Sequence, residues 1–403
     1  MSDPHLPPEL LDHIVDLLHD KNHALKNCCL VSKSWIPRAR KHLFATIAFS
    51  SVRSLQSWEA LFPDPLSSPA CYTHTLSVAS FPATAHACGW IKGFSRVVHW
   101  AFTSVTYDLD ESARPLIPFH GFSPIIKSLR VFFAVFPSSQ VFDLILSFPL
   151  LEDLRATSYI TETDTGDGSI GMSTAIRPLS PPVFTGSLVL WMGGGLKPII
   201  DRLLSLQDLR FRELTLTLVQ EEDLSSVKAL VEGCSSTLES LDVTRRPGCT
   251  PVRTSACDND LLSFPGRSMS TSIDLSEARK LKDATFTFGG QNPIWVLTAL
   301  QTITHEHRDL QQITLHLPLI PSDPTPVHLD PADIELKIGE TTYQHWLELD
   351  HLLAQLWEAH SIHLEVVYVV PSPKNRESAN SRVDVLLPEV TRRGIANLVG
   401  RRR

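Results

Sequence analysis

The sequence predicts an α/β protein in two parts: a short three-helix module over residues 1–50, then an irregular α/β solenoid over 51–403, with parallel strands on its concave face and helices on its convex face. Three observations predict it. Leucine supplies 56 of 403 residues and apolar residues 43 %, against 20 % charged, a composition that builds cores. The first fifty residues place apolar side chains at helical spacing. Beyond them a short apolar pattern of strand period returns at intervals, as stacked supersecondary units do.

The first helix starts at Leu6-Pro7-Pro8-Glu9, because proline suits a first turn whose N–H groups have no partner anyway and Glu9 suits the positive end of the dipole. Leu10, Leu11, Ile14, Leu17 and Leu18 then form a wide apolar stripe, and Asp20-Lys21-Asn22-His23 breaks it. A second helix carries Leu25, Cys28, Cys29, Leu30, Val31 and Trp35, and a third, basic one runs from Arg38 to Phe44. About fifty residues is near the lower limit for a self-sufficient core, so three short helices this apolar have surface to spare for a partner.

The repeated pattern is apolar-x-x-apolar-x-apolar. It reads Phe102/Val105/Tyr107, Ile126/Leu129/Val131, Leu151/Leu154/Ala156, Phe211/Leu214/Leu216, Leu238/Leu241/Val243, Leu281/Ala284/Phe286 and Leu310/Ile313/Leu315, with weaker copies at Leu76/Val78, Leu188/Leu190 and Leu364/Val366. Six of the nine steps between fourth positions fall inside roughly 20–29 residues. Each segment alternates with period two and predicts a strand. Between strands lie helical stripes: Leu196–Leu204, Leu224–Cys234 with Asp223 as its N-cap, Ile294–Ile303 and Leu349–Trp357. Loops are expected at 161–182, 245–273 and 318–334, a short capping helix near Val390–Val399, and a solvated Arg401-Arg402-Arg403 tail.

Leu6-Pro7-Pro8-Glu9-Leu10-Leu11, Ile14, Leu18, Cys29-Leu30-Val31-Ser32-Lys33-Ser34-Trp35 and Arg40-Lys41-His42-Leu43-Phe44 resemble, in order and spacing over some forty residues, an F-box. The rest resembles divergent leucine-rich repeats lacking the asparagine that usually follows the strand; after Val243 the chain gives Thr244-Arg245-Arg246. Taken whole, the sequence is similar to the large F-box family of mushroom-forming fungi. The resemblance implies that Leu6, Pro7, Pro8, Leu10, Leu11, Ile14, Leu18, Leu30, Val31 and Trp35 form or support a surface for the Skp-type adaptor of a cullin–RING ubiquitin ligase. Ile14, Leu18 and Val31 fit the module's own core equally well, whereas Leu6-Pro7-Pro8 at the chain start favour the partner.

Other chemistry is weakly signalled. A net charge of −8 argues against a broad nucleic-acid footprint. No uncharged apolar run approaches the roughly 18 residues of a membrane span, and no basic-then-apolar signal segment opens the chain. Seven cysteines, odd in number and without CxxC, indicate reduced thiols and hence cytoplasm or nucleus. Gly166-x-Gly168-x-x-Gly171 matches the dinucleotide fingerprint as text but lies among prolines, without the strand and helix it requires. Gly193-Gly194-Gly195 suits a tight strand-to-helix turn better than an anion site. His305 and His307 lack converging ligands for a metal and read as a solvated helix end; His345, His351, His360 and His363 are scattered. Neither cofactor nor catalytic residue is expected. The leading expectation is therefore a substrate receptor whose strand positions Thr215, Thr217, Asp242, Thr285, Thr287, Thr314 and His316 face a target protein. An adaptor-bound scaffold outside ubiquitylation and an enzyme on an unrecognised α/β fold are the alternatives.

Overall fold

The predicted helical stripes become helices. The computed structural model describes residues 7–64, 67–79, 93–103, 122–132, 145–158, 182–192, 196–206, 208–218, 223–245, 273–288, 292–317, 340–370, 380 and 383–402. Helix α1 is Pro8–Asp16, α2 Asn22–Val31 and α3 Ile36–Leu43. Val15, Leu25, Cys28 and Ala39 are their buried core, with Leu18, Cys29, Trp35 and Leu43 packed against it. Asp16 fastens α1 to α3: Arg38 Nε donates to it at 2.6 Å, Arg38 Nη2 donates to its other oxygen, and His42 Nε2 lies 2.7 Å away.

The chain divides into two compact units, Met1–Val183 and Phe184–Arg403. In the first, β1 (Thr46–Phe49), β2 (Thr75–Ala79), β3 (His99–Thr103), β4 (Ser128–Phe132) and β5 (Asp153–Ser158) pair in chain order, all parallel. Thr46–Phe49, inside the predicted 1–50 module, is thus already sheet. Helix α4 (Val52–Leu61) follows β1, its N-terminus closed by a reciprocal Ser51–Ser54 capping box. Phe49, Trp58 and Phe94 stack edge-on or tilted around the sheet start, and Trp100, Phe122 and Phe148 do so further along.

The second unit holds β6 (Ser187–Met192), α5 (Lys197–Leu204), β7 (Glu213–Leu218), α6 (Asp223–Cys234), β8 (Ser240–Arg245), β9 (Asp283–Thr287), α7 (Ile294–Leu300), β10 (Gln312–Leu317), α8 (Glu340–His360), β11 (His363–Val370), α9 (Pro388–Arg392) and β12 (Ala396–Arg402). Its strands also pair in chain order and in parallel. Parallel sheets with both faces covered read as continuous apolar runs. Here Leu214, Leu216 and Leu218 are buried while Thr215 and Thr217 are half-buried, so one face makes the core and the other stays polar.

A backbone device recurs at the strand entries. One carbonyl accepts both N–H groups that open the next strand: Ala45 from His74 and Thr75, Val98 from Lys127 and Ser128, Arg212 from Glu239 and Ser240, Lys282 from Gln311 and Gln312, at 2.7–3.1 Å. Hydroxyls supplement it, as Thr73 donates to the Phe44 carbonyl at 2.9 Å and Thr237 to the Phe211 carbonyl at 3.1 Å. Consecutive units are thereby joined without an asparagine ladder.

Four expectations need correction. Strand β3 is His99–Thr103, so Trp100 takes the position assigned to Val105, which with Tyr107 lies outside the described residues. The capping helix expected near Val390–Val399 stops at Arg392, because Gly394 turns the chain at φ +65°. The segment after it pairs with the open edge of β11, where Arg401 and Arg402 are strand residues rather than a free tail. His307 is not solvated either: it is fully buried, accepting from Thr304 N–H at Nδ1 (3.1 Å) and donating from Nε2 to the Leu275 carbonyl (2.9 Å). The expected loops at 161–182, 245–273 and 318–334, and the glycine motifs at 166–171 and 193–195, lie almost entirely outside the described residues.

Candidate functional site

Helix α1 carries two apolar stripes. Val15 is fully buried in the module core, Leu18 just past the helix end packs half-buried against it, and Leu11 is half-buried. Leu10, Ile14 and Leu17, each one residue earlier, are rotated about 100° away. They are 50 %, 40 % and 65 % exposed. At the end of α2, Leu30 and Val31 are 86 % and 70 % exposed. Scattered exposed leucines need no explanation, but Leu10, Ile14 and Leu17 at helical spacing, with Leu30 and Val31 at the end of α2, leave five large apolar side chains in water within 22 residues.

The ten sequence-predicted adaptor residues therefore separate. Pro7 is exposed beside Leu10, and Pro8 opens α1. Leu10, Ile14, Leu30 and Val31 are surface, resolving Ile14 and Val31 away from the core. Leu11 is half-buried, while Leu18 and Trp35 pack on the core. Leu6 lies outside the described residues. Leu17 was not among the predicted residues, although its spacing from Leu10 and Ile14 marks it.

The seven strand residues predicted to face a target fall into two adjacent cross-strand rows. Thr215, Asp242, Thr285 and Thr314 stand side by side in one, and Thr217, Thr287 and His316, with Thr244 between, in the next. All are half-buried except Thr314, which is buried and accepts from Gln312 Nε2 at 3.0 Å. One Asp242 carboxylate oxygen is buried with no hydrogen-bond partner among the described residues, and burial pushes its pKa up.

Burial pushes the Cys234 thiol up to about 11, so at neutral pH it is a protonated small hydrophobe. An open cleft of about 560 Å³ lies beside Leu204, Arg210, Ser236 and Thr237, and of its two hydroxyls that of Thr237 already donates to the Phe211 carbonyl. Among the described residues, no three His, Cys, Asp or Glu side chains converge on a point that could hold a metal, and no helix is long and apolar enough to cross a membrane.

No protein-family model matches the chain, and no curated protein sequence matches it.

Proposed function

We propose that the chain is the substrate-recognition subunit of a cullin–RING (SCF-type) ubiquitin ligase. The helical module docks on a Skp-type adaptor, and the repeated strands hold a target protein. One observation carries this reading: the module completes its own core with Val15, Leu25, Cys28 and Ala39, yet leaves Leu10, Ile14, Leu17, Leu30 and Val31 in water. Fully burying one such side chain is worth about 1.5–3 kcal/mol, so this surface has binding energy that folding does not use. The likeness of Leu10, Ile14, Leu30 and Val31, with their flanking residues, to an F-box supplies the partner's class.

The mechanism is proximity. The receptor makes no covalent bond. It holds a target lysine at high effective concentration near the ubiquitin-charged enzyme, converting an intermolecular encounter into an intramolecular one.

Co-purification tests it. The chain should retain both a Skp-type adaptor and, through it, a cullin. Adaptor without cullin would instead support a scaffold acting outside ubiquitylation. Retention of neither, by a folded chain, would sink the reading.

A further inference from the structure

We propose that the open sheet face of the first unit binds an acidic, extended segment of a target protein, with Arg130 and Arg155 receiving carboxylates carried two residues apart. The proposal rests on reading the chain as a target receptor, and it names the chemistry of what is received.

Arg130 of β4 and Arg155 of β5 are direct partners in the parallel register. Their strand neighbours Leu129, Val131, Leu154 and Ala156 are all buried, so both arginines stand on the open face, and both are exposed. Like charges directly opposite across a strand pair oppose the pairing. Even so, no hydrogen bond or ion pair among the described residues engages either guanidinium. Asp153, one row earlier on the same face, is paired in register with Ser128. Nearby Lys127, by contrast, is paired with Glu152 at 2.8 Å. Two adjacent guanidiniums that no acid among the described residues neutralises are a standing site for anions.

The surroundings choose among anions. The row of Arg130 and Arg155 continues across β3, β2 and β1 as Ala101, Ser77 and Ala48. These small side chains, half-buried at Ala101 and Ser77 and exposed at Ala48, make a low floor beside the arginines. A phosphoryl site typically adds converging backbone N–H groups. Here the neighbouring backbone belongs to the strand ladder. An open trough suits charge spread along a chain. Adjacent strands lie about 4.8 Å apart, and alternate side chains of an extended peptide about 6.7 Å. Arginine is long enough to absorb that difference.

The test measures fluorescence anisotropy of the full chain, at low ionic strength, with three labelled peptides: one carrying glutamate at alternate positions, its glutamine counterpart, and one carrying a single phosphoserine. The glutamate peptide should bind most tightly. The R130Q/R155Q pair should weaken it at least about tenfold, and rising salt should weaken it further. R210Q, an arginine of the other unit paired with Asp208, should leave it unchanged. Both substitutions relieve like-charge repulsion at exposed positions, so the double variant should melt no lower than the wild type. Equal binding of glutamate and glutamine peptides, unchanged affinity in R130Q/R155Q, or preference for the phosphoserine peptide would each overturn the proposal. Adaptor capture, read on the same preparations, is independent of these arginines. Its absence from the wild type would sink the ligase reading while leaving the peptide result standing.

Discussion

Asp16 and Asp350 are two carboxyls pulled in opposite directions by their surroundings. Arg38 and then His42 hold Asp16 well below the usual carboxylate range. Burial raises Asp350, although it accepts from Glu389 N–H at 2.6 Å and Val390 N–H at 2.9 Å. The signs follow from linkage. A lowered folded pKa contributes stability above the unfolded value of about 3.9, lost as pH falls through the folded one. A raised folded pKa contributes stability below that unfolded value, lost as pH rises through the folded one. At pH 7, D16A should therefore unfold at lower urea, by about 1 kcal/mol, and its deficit should shrink as pH falls below about 4. D350N should cost about 1–3 kcal/mol, because an amide leaves one of two backbone donors without an acceptor. Its deficit should narrow in the other direction, as pH rises from about 4. Urea titrations across pH 3–8 check both, and parallel curves would refute the assignments. Neither role was legible in the sequence: the groups Asp350 caps lie 39 and 40 residues away. Apolar spacing says nothing about which distant polar atoms meet.

At the scale of elements, alternation located strands well where both neighbours repeated the pattern. It failed at the margins. Ile47 and Phe49 of β1 sit too close to the helical module to stand out as a repeat. In β3, Trp100 and Phe102 are the inward pair, but Phe102, Val105 and Tyr107 mimic the same spacing. The run 395–399 has too few residues to distinguish helix from strand by period. Polar links between elements decide what spacing cannot. Asp223, expected to cap its own helix, is the first residue of α6 and reaches back to another: its Oδ1 accepts from Leu196 N–H at 2.6 Å and Lys197 N–H at 3.0 Å, at the start of α5. D223A should cost about 1–2 kcal/mol. Hydrogen exchange should locate the loss, with the Leu196 and Lys197 amides losing protection before those of β7. Gly394 stops α9 in the left-handed region, and a Cβ there would touch nothing within 4 Å. G394A should thus cost roughly 1 kcal/mol through the backbone alone, and a gain in melting temperature would contradict that.

Across the whole molecule, the sequence distinguished apolar positions from polar ones and left open which apolar positions were spare. Leu17 and Leu18 are adjacent leucines, and only packing shows that Leu18 leans on the module core while Leu17 faces water. That distinction separates stability from docking. Leu25 is fully buried, so L25A should cost about 2–5 kcal/mol and lose adaptor capture only because the module unfolds. Leu17 and Leu30 contribute little to folding, being 65 % and 86 % exposed. L17E/L30E should leave the melting temperature within about 2 °C of the wild type, as surface substitutions do. It should also make the free chain more soluble, since it places charge on an apolar patch. The same variant should lose adaptor capture, because a carboxylate pressed into an apolar interface has no partner there. Thermal melts and co-purification on one preparation check both halves. A variant that melts normally and still captures the adaptor would show that these side chains are ordinary surface and that the docking face lies elsewhere.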